Sequence, residues 1–485
     1  MPDKAAIIGG GVIGGGWAAR FLLGGWNVSL YDPDLDARRK IADILTNARY
    51  ALPMLYDTAL PPEGTLTHCD TIAAAVANAD WIQESVPERL DLKHDVLARI
   101  EAHAPRDTII ASSTSGFKPS HLARGMANTE RLIVAHPFNP VYLLPLVEVV
   151  GSPETSDTAI AYALQVLTAL GMFTLHVRAE IDAHIADRFL EAVWREALWL
   201  VRDGIATTEE IDNAIRYGFG LRWAQMGLFE TYRVAGGEAG MKHFIEQFGP
   251  CLKLPWTRLM DVPELTDDLV NTITAQSDAQ SGAHTIGELE RMRDANLVAI
   301  LRALKVRDAG AGALLNQHEA RIRPALVKSV GATAKSAEAI ISVARTVPID
   351  WTDYNGHMNE SRYGQVFSDA ADHMMARVGA DLAYVAAGHS FFAVDIHIRF
   401  LAEARAAQPF TVASRVLEGR GKKLRLYHEM LAQDGTPIAT AVQLLLHVSL
   451  STRRACAPLP KVSAAMQALA AAHAHLARPE HTGDG

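Results

Sequence analysis

Hydrophobic and polar positions follow two different patterns over the first 180 residues. Short apolar runs alternate with longer stretches in which apolar residues recur every three or four positions. The first pattern is typical of buried strands and the second of amphipathic helices. Strands that alternate with helices predict a mostly parallel sheet covered on both faces. The predicted strands are residues 5–8, 27–31, 82–86, 108–112, 132–136 and 147–150.

The pattern changes twice farther along the chain. Helical periodicity alone predicts helices over 184–203, 265–282, 285–306 and 311–328, the first with Ile185, Phe189, Val193 and Leu200 on one face. A small, polar stretch at 329–340 is typical of a linker. One helix (360–378) and alternating strands then predict an α+β domain. The predicted domains are 1–180, 181–328, linker 329–340, 341–455 and a tail, 456–485.

Composition excludes several classes of function. A formal net charge of −9 argues against general nucleic-acid binding, which needs a basic face. The three cysteines show neither a metal-binding spacing nor a disulfide framework, which fits a reduced cytoplasmic compartment. No signal peptide is recognisable, and no apolar run approaches the length of about 18 residues that a membrane span needs. We therefore expect neither a metal nor a membrane partner.

A glycine loop follows the first predicted strand. The segment from Gly9 to Gly14 has the spacing G-x-G-x-x-G, and Asp32 ends the second strand. In a strand–loop–helix unit these glycines bring a pyrophosphate close to the helix N-terminus, while the carboxylate binds the ribose hydroxyl of NAD. An ordinary glycine turn with a surface aspartate is the alternative. The residues expected to hold NAD are Gly9, Gly11, Val12, Ile13, Gly14 and Asp32.

A histidine and a glutamate are candidates for acid–base chemistry. His136 ends one predicted strand, and Glu148 lies twelve residues on, within the next. Oxidation of a secondary alcohol needs a base for the hydroxyl proton, and a carboxylate on the far ring nitrogen would fix the tautomer of that base. Taken alone, the two residues could equally be a structural histidine and an edge-strand charge.

The motif around His136 resembles the L-3-hydroxyacyl-CoA dehydrogenase family. The resemblance covers residues 1 to about 320 and includes the following segments: the glycine loop, Gln83-Glu84-Ser85-Val86-Pro87-Glu88, Ser112-Ser-Thr-Ser115-Gly and His136-Pro-Phe-Asn139-Pro140. It implies a catalytic dyad of His136 and Glu148, with the Ser115 hydroxyl and Asn139 at the substrate. It also implies that Glu88 and Lys93 border the nicotinamide, and that the helical domain closes over the substrate and supplies a dimer interface.

One position departs from that family. The family usually carries Pro-Gly-Phe-Ile-x-Asn-Arg where this chain has Asp182-Ala-His-Ile-Ala-Asp187-Arg188. An extra carboxylate at Asp187 suits a cationic substrate, although a salt bridge to Arg188 or Arg195 is equally compatible. The aromatic residues just beyond are expected to be mostly core, while one or two, such as Phe219, could hold a quaternary ammonium. This favours the branch of the family that oxidises carnitine.

The C-terminal part resembles the hotdog thioesterase family. The match covers about residues 341–450 and rests on Asp353-Tyr-Asn355-Gly-His357-Met-Asn359 before a long helix. By that resemblance Asp353 would activate water or attack a thioester carbonyl, with Asn355 and His357 orienting the reactants. A polar loop that caps a helix is the alternative.

Together these features predict an α/β Rossmann domain, an all-α dehydrogenase domain and an α+β hotdog domain. The expected chemistry is NAD-dependent oxidation of carnitine and hydrolysis of an acyl-CoA thioester, namely betainyl-CoA, and a homodimer is expected. Two alternatives remain. A 3-hydroxyacyl-CoA dehydrogenase could be fused to a general acyl-CoA thioesterase, or the hotdog part could be a non-catalytic dimerisation module.

Overall fold

The computed structural model describes residues 4–224, 226–235, 240–248, 255–258, 261, 264–331 and 338–477. The chain divides into two compact units: residues 1–49 with 62–318, and residues 50–61 with 319–485. Each unit has its own sheet. In the described part of the chain, no helix is long and apolar enough to cross a membrane.

An eight-stranded sheet forms the centre of the first unit. Its spatial order is β3-β2-β1-β4-β5-β6-β7-β8. All neighbouring strands are parallel except β6 and β7, which are antiparallel. The strands are β1 (Lys4–Ile8), β2 (Asn27–Tyr31), β3 (Leu66–His68), β4 (Trp81–Glu84), β5 (Ile109–Ser112), β6 (Leu132–Pro137), β7 (Leu146–Gly151) and β8 (Phe173–Val177). The prediction of a mostly parallel sheet is confirmed, although β3 and β8 were not predicted.

Helices connect these strands and bury their apolar faces against the sheet. The buried core contains Ile8, Ile82 and Val134 from the strands together with Val96 and Leu97 from a helix. Strands buried on both faces read as continuous apolar runs, which is why their positions were evident from sequence. The helices are α1 (Val12–Leu23), α2 (Ala37–Ala51), α3 (Ile72–Val76), α4 (Leu90–Glu101), α5 (Pro119–Leu122) and α6 (Asp157–Ala169).

The following segment is entirely helical in its described residues, as predicted. Its helices are α7 (Ala186–Arg202), α8 (Thr208–Ala214), α9 (Gly220–Trp223), α10 (Gly227–Ala235), α11 (Gly240–Phe248), α12 (Asp267–Ser281), α13 (Ile286–Val306) and α14 (Ala311–Gly331), with a π-helical turn at Ile215–Phe219. Capping boxes at Thr207 and Thr285 begin α8 and α13. The expectation that its aromatic residues are mostly core is wrong, since Trp194, Tyr217 and Phe229 are exposed while Trp199 is buried.

The second unit consists mainly of a long helix packed against an antiparallel sheet. The sheet order is β10-β13-β12-β11-β9, and β14 pairs with β13. The elements are β9 (Ile340–Thr346), α15 (Glu360–Arg377), α16 (Leu382–Ala386), β10 (His389–Phe400), β11 (Pro409–Arg420), β12 (Lys423–Ala432), β13 (Pro437–Ser449), β14 (Arg454–Ala455) and α17 (Pro460–His473). The Asn359 side chain caps α15 by accepting from the Ser361 N–H at 3.0 Å. The predicted α+β hotdog arrangement is confirmed.

Two predicted segments fall partly outside the described residues. Within the predicted linker at 329–340, residues 332–337 are outside them, whereas 329–331 belong to α14 and β9 begins at Ile340. The tail predicted at 456–485 contains α17, and its residues 478–485 are also outside the description. The proposed domain boundaries therefore stay a prediction.

Candidate active sites

The glycine loop after β1 requires glycine at two of its positions. Gly9 has a φ of +100°, and a Cβ there would lie 2.6 Å from the carbonyl oxygen of Ser85. A Cβ on Gly14 would lie 1.8 Å from the carbonyl oxygen of Gly9, so close packing of α1 against the loop requires glycine. Gly11 instead faces open space, with nothing within 4 Å of its Cβ position. The loop therefore leaves room for a ligand at the N-terminus of α1.

A cleft of about 670 Å³ opens beside this loop. Its size is that of a small-molecule or cofactor site. Asp32 lines it and accepts a hydrogen bond from the Gly10 N–H at 2.6 Å, which holds the carboxylate at the end of β2. The other predicted cofactor and nicotinamide-side residues that line the cleft are Gly9, Gly11, Val12, Ile13, Glu88, Lys93 and Ser115. The donors and acceptors present fit a dinucleotide whose ribose hydroxyls meet Asp32.

Lys93 and Glu88 also have structural partners in this cleft. The buried Lys93 ammonium donates to both carboxylate oxygens of the buried Glu84, at 3.0 and 3.2 Å. Glu88 lies 3.4 Å from the same ammonium and accepts from the Thr114 hydroxyl and the Gly116 N–H. These bonds hold Thr114 and Gly116, the residues on either side of Ser115. Ser115 itself is exposed. Glu88 and Lys93 thus fix the loop that carries the predicted substrate hydroxyl.

His136 and Glu148 are directly opposite each other on antiparallel strands β6 and β7. Nδ1 of His136 lies 3.0 Å from Oε2 of Glu148, and both side chains are buried. Oε1 of Glu148 accepts the N–H groups of Ile185 and Ala186, at 2.8 and 3.0 Å. Burial favours the neutral acid, but the bonds from His136, Ala186 and Ile185 hold the pKa of Glu148 below its ordinary value. Glu148 is thus an anion that orients the His136 ring.

Asp187, in the first turn of α7, places its carboxylate beside the other nitrogen of this ring. Oδ2 of Asp187 lies 3.8 Å from Nε2 of His136, and burial raises the pKa of Asp187. Neither arginine that could have paired with it does so. Arg195 contacts Glu191 at 3.6 Å, and Arg188 reaches the carbonyl oxygen of Asp182. The structure thus gives Asp187 a place at the dyad rather than in a surface ion pair.

His184 is a residue of this site that sequence reasoning missed. It is fully buried, its ring centroid lies 5.6 Å from that of His136, and its Nε2 bonds the Thr114 carbonyl oxygen at 3.2 Å. Both Ala183 and His184 have positive φ values, 59° and 48°, a conformation that costs energy for residues with a Cβ. Burial lowers the pKa of His184, so a neutral imidazole packs against the dyad. The sequence did contain a signal for this residue: the family usually carries phenylalanine where this chain has His184.

Two predicted substrate residues make no hydrogen bond or ring contact with the dyad in the described structure. Asn139 is exposed, three residues beyond His136, and precedes Pro140 through a cis peptide bond. Phe219 ends the π-helical turn and packs on Trp223 with ring centroids 4.6 Å apart. Their roles at the substrate stay predictions.

A second candidate site lies before α15 in the other unit. A cavity of about 390 Å³ is lined by Asp353, His357, Tyr363, Phe400 and Glu403, among others. Oδ1 of Asp353 accepts the Asn355 N–H at 2.8 Å, which holds the carboxylate on the turn. Nε2 of His357 lies 3.0 Å from Oε2 of Glu403.

The turn brings together only part of the predicted trio. The Asn355 side chain is exposed and does not line the cavity, so its described contribution is the backbone N–H. Glu403 was missed because it follows β10, some 46 residues beyond His357, and belongs to no motif. The geometry supplies a carboxylate next to a histidine–carboxylate pair in a solvent-accessible cavity.

Three family models match the chain. They are 3-hydroxyacyl-CoA dehydrogenase, NAD binding domain (residues 4–181), 3-hydroxyacyl-CoA dehydrogenase, C-terminal domain (184–267), and the thioesterase-like superfamily (347–468). Among solved structures, an NAD⁺-dependent dismutase, 5-formyl-3-hydroxy-2-methylpyridine 4-carboxylic acid 5-dehydrogenase, is 28% identical with a TM-score of 0.53. It covers 63% of this chain and 99% of its own.

Curated relatives match over nearly the whole length. The L-carnitine dehydrogenase/betainyl-CoA thioesterase of Ruegeria pomeroyi is 59% identical over 99% of this chain and 98% of its own. The protein of the same name from Agrobacterium fabrum is 53% identical with the same coverage. The L-carnitine dehydrogenase of Pseudomonas putida is 53% identical over 63% of this chain and 95% of its own.

Proposed function

Because the chain belongs to the family of the L-carnitine dehydrogenase/betainyl-CoA thioesterases, we propose that it oxidises L-carnitine with NAD and hydrolyses betainyl-CoA. The first domain is an NAD-binding domain of this family, and the residues of the cleft fit the dinucleotide. The observation that carries the choice of carnitine is the Asp187 carboxylate, 3.8 Å from Nε2 of His136.

The dyad performs the proton transfer of this oxidation. Nδ1 of His136 donates to Glu148, which leaves a lone pair on Nε2 to take the proton of the substrate hydroxyl. When bound, NAD supplies the acceptor for the hydride that leaves the carbon bearing this hydroxyl group. The Ser115 hydroxyl, on the loop held by Glu88, donates to the substrate oxygen. Glu148 then stabilises the imidazolium that forms.

Substrate geometry explains why a carboxylate lies so close to the base. In carnitine the trimethylammonium nitrogen is two bonds, about 2.5 Å, from the carbon that is oxidised. A group that binds this cation must therefore lie within a few ångströms of the base. Asp187 satisfies this requirement, and the half-buried Phe219 and the exposed Trp223 of the same unit are candidates to cover the methyl groups.

The matched test compares L-carnitine with 3-hydroxy-5,5-dimethylhexanoate, a carbon isostere in which an uncharged tert-butyl group replaces the trimethylammonium. Asp187→Asn should lower kcat/KM for carnitine about 10- to 100-fold and leave the isostere nearly unchanged. Glu191→Gln is the control, because this acid lies one turn farther along α7 and contacts Arg195. Equal losses on both substrates would show that Asp187 does not bind the cation. A wild-type preference for 3-hydroxybutyryl-CoA would instead support the acyl-CoA alternative.

We propose that the second site hydrolyses the thioester through Asp353. Asp353 acts either as a general base on water or as a nucleophile on the carbonyl carbon, with His357 held by Glu403 beside it. Asn355 is proposed to orient the reactants. Asp353→Asn should abolish release of CoA thiol from betainyl-CoA while carnitine oxidation continues. Single-turnover hydrolysis in isotope-labelled water tests the nucleophilic route, since label in Asp353 requires that water open an anhydride at the Asp353 carboxyl carbon. A wild-type enzyme without thioesterase activity would support the non-catalytic alternative.

The two reactions fit the two ends of a carnitine degradation route. Oxidation of carnitine gives 3-dehydrocarnitine. A separate transfer of its trimethylammonium-bearing acyl part to CoA would give betainyl-CoA, which the thioesterase converts to glycine betaine and CoA. We propose a cytoplasmic enzyme, because NAD and CoA are both used there.

We also propose a homodimer. The apolar face predicted at the start of α7 is exposed: Ile185 is 38%, Phe189 54% and Val193 36% accessible. Contiguous apolar surface of this kind on one helix is typical of an interface. Light scattering coupled to size-exclusion chromatography should give twice the chain mass of 52.6 kDa. A monomer at micromolar concentration would contradict the proposal.

A further inference from the structure

His184 contacts the two parts of the dehydrogenase site that are proposed to meet the substrate oxygen. One part is the substrate loop, residues 114–120, which carries Ser115, and Nε2 of His184 bonds the Thr114 carbonyl oxygen of this loop at 3.2 Å. The other part is the base, and the centroid of the His184 ring lies 5.6 Å from that of His136. Both His184 and Thr114 are fully buried, so solvent cannot replace the hydrogen bond between them.

The bond to Thr114 defines the tautomer of His184. A carbonyl oxygen can only accept, so the ring proton lies on Nε2. Nδ1 then has a free lone pair, and this atom is buried without a hydrogen-bond partner among the described residues. Burial lowers the pKa of His184, and the nearby His136 adds to this effect. The neutral ring therefore offers one donor, and Thr114 accepts from it.

Two features of His184 cost free energy. A buried acceptor without a donor has lost its hydration and gains no bond in return. The φ angles of Ala183 and His184, 59° and 48°, lie in the left-handed region that residues with a Cβ rarely adopt. Phenylalanine, the usual residue of the family at this position, would bring no buried Nδ1. It also has no N–H group for Thr114, so this hydrogen bond is what the histidine adds.

The bond is the last in a series of contacts along the substrate loop. The Gly116 carbonyl oxygen accepts the Ala183 N–H at 3.2 Å, and the Glu180 carboxylate accepts the Ser120 N–H at 2.9 Å. The two segments run antiparallel, so residues 180–184 follow the loop backwards. Among these described residues only His184 also contacts a ring of the dyad. It is therefore the point at which the loop is tied to the base.

The residues that follow His184 bind the other half of the dyad. The N–H groups of Ile185 and Ala186 donate to Oε1 of Glu148, at 2.8 and 3.0 Å. Three consecutive residues thus hold the substrate loop on one side and the carboxylate of the dyad on the other. A shift of the backbone at His184 would move these two parts of the site relative to each other.

The reaction requires two side chains to reach one oxygen atom. The substrate hydroxyl gives its proton to Nε2 of His136 and accepts from the Ser115 hydroxyl, so each must lie about 3 Å from that oxygen. A misplacement of about 1 Å can cost about 100-fold in rate.

We propose that His184 is a positioning residue of the dehydrogenase, whose Nε2–H group holds the substrate loop so that Ser115 and His136 meet the same substrate oxygen. This inference rests on the proposed oxidation of a 3-hydroxy substrate and not on the choice of carnitine. It explains why this chain has a histidine with a buried, unpaired Nδ1 where phenylalanine would fill the space.

Two amide variants separate the hydrogen bond from the shape of the ring. The amide nitrogen of glutamine can take the place of Nε2, whereas that of asparagine corresponds to Nδ1 and ends short of Thr114. His184→Gln should keep kcat for carnitine within about threefold of wild type, while His184→Asn and His184→Phe should lower it about 10- to 100-fold. All three variants retain a Cβ at the same φ. Glu180→Ala, at the far end of the series, is the control and should leave kcat unchanged.

Equal kcat values in the glutamine and asparagine variants would overturn the proposal, and this comparison decides even if His184→Phe does not fold. NADH affinity, measured by fluorescence titration, should be the same in all variants, because the cofactor cleft is intact. A wild type that oxidises neither carnitine nor 3-hydroxybutyryl-CoA would instead count against the proposed function.

A double-mutant cycle shows through which group His184 acts. Ser115→Ala removes the hydroxyl that the substrate loop presents. In that background His184→Asn should cost less than about threefold in kcat, because no donor remains to be positioned. A loss as large as in the wild-type background would refute action through Ser115.

Discussion

Replacement of Glu148 by glutamine tests the central step of the dehydrogenase. The amide has the volume of the carboxylate, and its oxygen can still accept the N–H groups of Ile185 and Ala186. Its NH₂ group then faces Nδ1 of His136, where the carboxylate oxygen now lies at 3.0 Å. Nδ1 must become the acceptor, and the ring proton moves to Nε2. The nitrogen that should take the substrate proton then has no free lone pair.

The size of the effect follows from the tautomer. In the histidine–carboxylate pair of serine proteases, the same carboxylate-to-amide change costs about 10⁴-fold in kcat. Glu148 is fully buried, so no solvent replaces the lost charge. We expect kcat for carnitine to fall about 10³- to 10⁴-fold, or about 4 to 5.5 kcal/mol of barrier. KM should change little, because Glu148 reaches the substrate only through His136.

The assay is NADH formation at saturating carnitine, from neutral to alkaline pH. Hydrolysis of betainyl-CoA on the same preparation is the internal control, because Asp353 lies in the other unit and should be unaffected. A fall in kcat of less than about tenfold, with normal thioesterase activity, would refute the role of Glu148 in setting the His136 tautomer.

Three further predictions concern other parts of the chain. Gly9→Ala should weaken NADH binding at least tenfold, measured by fluorescence titration, because a Cβ would lie 2.6 Å from the Ser85 carbonyl oxygen; unchanged affinity would mean that the loop relaxes. Asp32→Asn should raise the kcat/KM ratio of NADP to NAD, since the charge that repels a 2′-phosphate is lost; an unchanged ratio contradicts this role. Burial lowers the pKa of His428 to about 3, whereas its ordinary value is about 6.5. Between these two pH values only the unfolded chain binds a proton at His428, so the free energy of unfolding should fall by about 1.4 kcal/mol per pH unit below about 6.5. His428→Leu should lack this part of the slope in urea unfolding at pH 7 and 5, and an identical slope would show that His428 does not titrate with folding.

The fold was predictable where burial imposes a pattern on the sequence. Strands in the middle of the parallel sheet, such as β1 and β4, are buried at every position but Lys4 and were predicted within two residues. The strands at its two edges, β3 and β8, were not. β3 has only three residues, and β8 mixes exposed and buried positions without strict alternation. An edge strand is stabilised by pairing on one side, which leaves little pattern in its own residues.

The candidate sites were predictable only where a local motif contains the residues. His136 and Glu148 belong to one hairpin-like segment, and antiparallel register brings them together. Glu403 joins its site through the tertiary fold, from a segment without a recognisable spacing. His184 stands in the motif that contains Asp187, but its approach to the dyad is likewise set by the tertiary fold. The sequence placed Ile185, Phe189 and Val193 on one face of a helix, but an amphipathic helix has the same pattern whether its apolar face meets its own core or another chain.

Charge balance explains why this dehydrogenase needs a second carboxylate. When the substrate proton reaches His136, the imidazolium is one positive charge, and Glu148 balances it. A CoA ester adds no further cation near the base, and the family usually carries asparagine at the position of Asp187. Carnitine brings a trimethylammonium two bonds from the reacting carbon, so the site then contains two cations a few ångströms apart. Without Asp187 their repulsion would grow as the proton arrives and would raise the barrier itself. We therefore propose that Asp187 contributes to catalysis as well as to recognition, and its removal should lower kcat together with affinity.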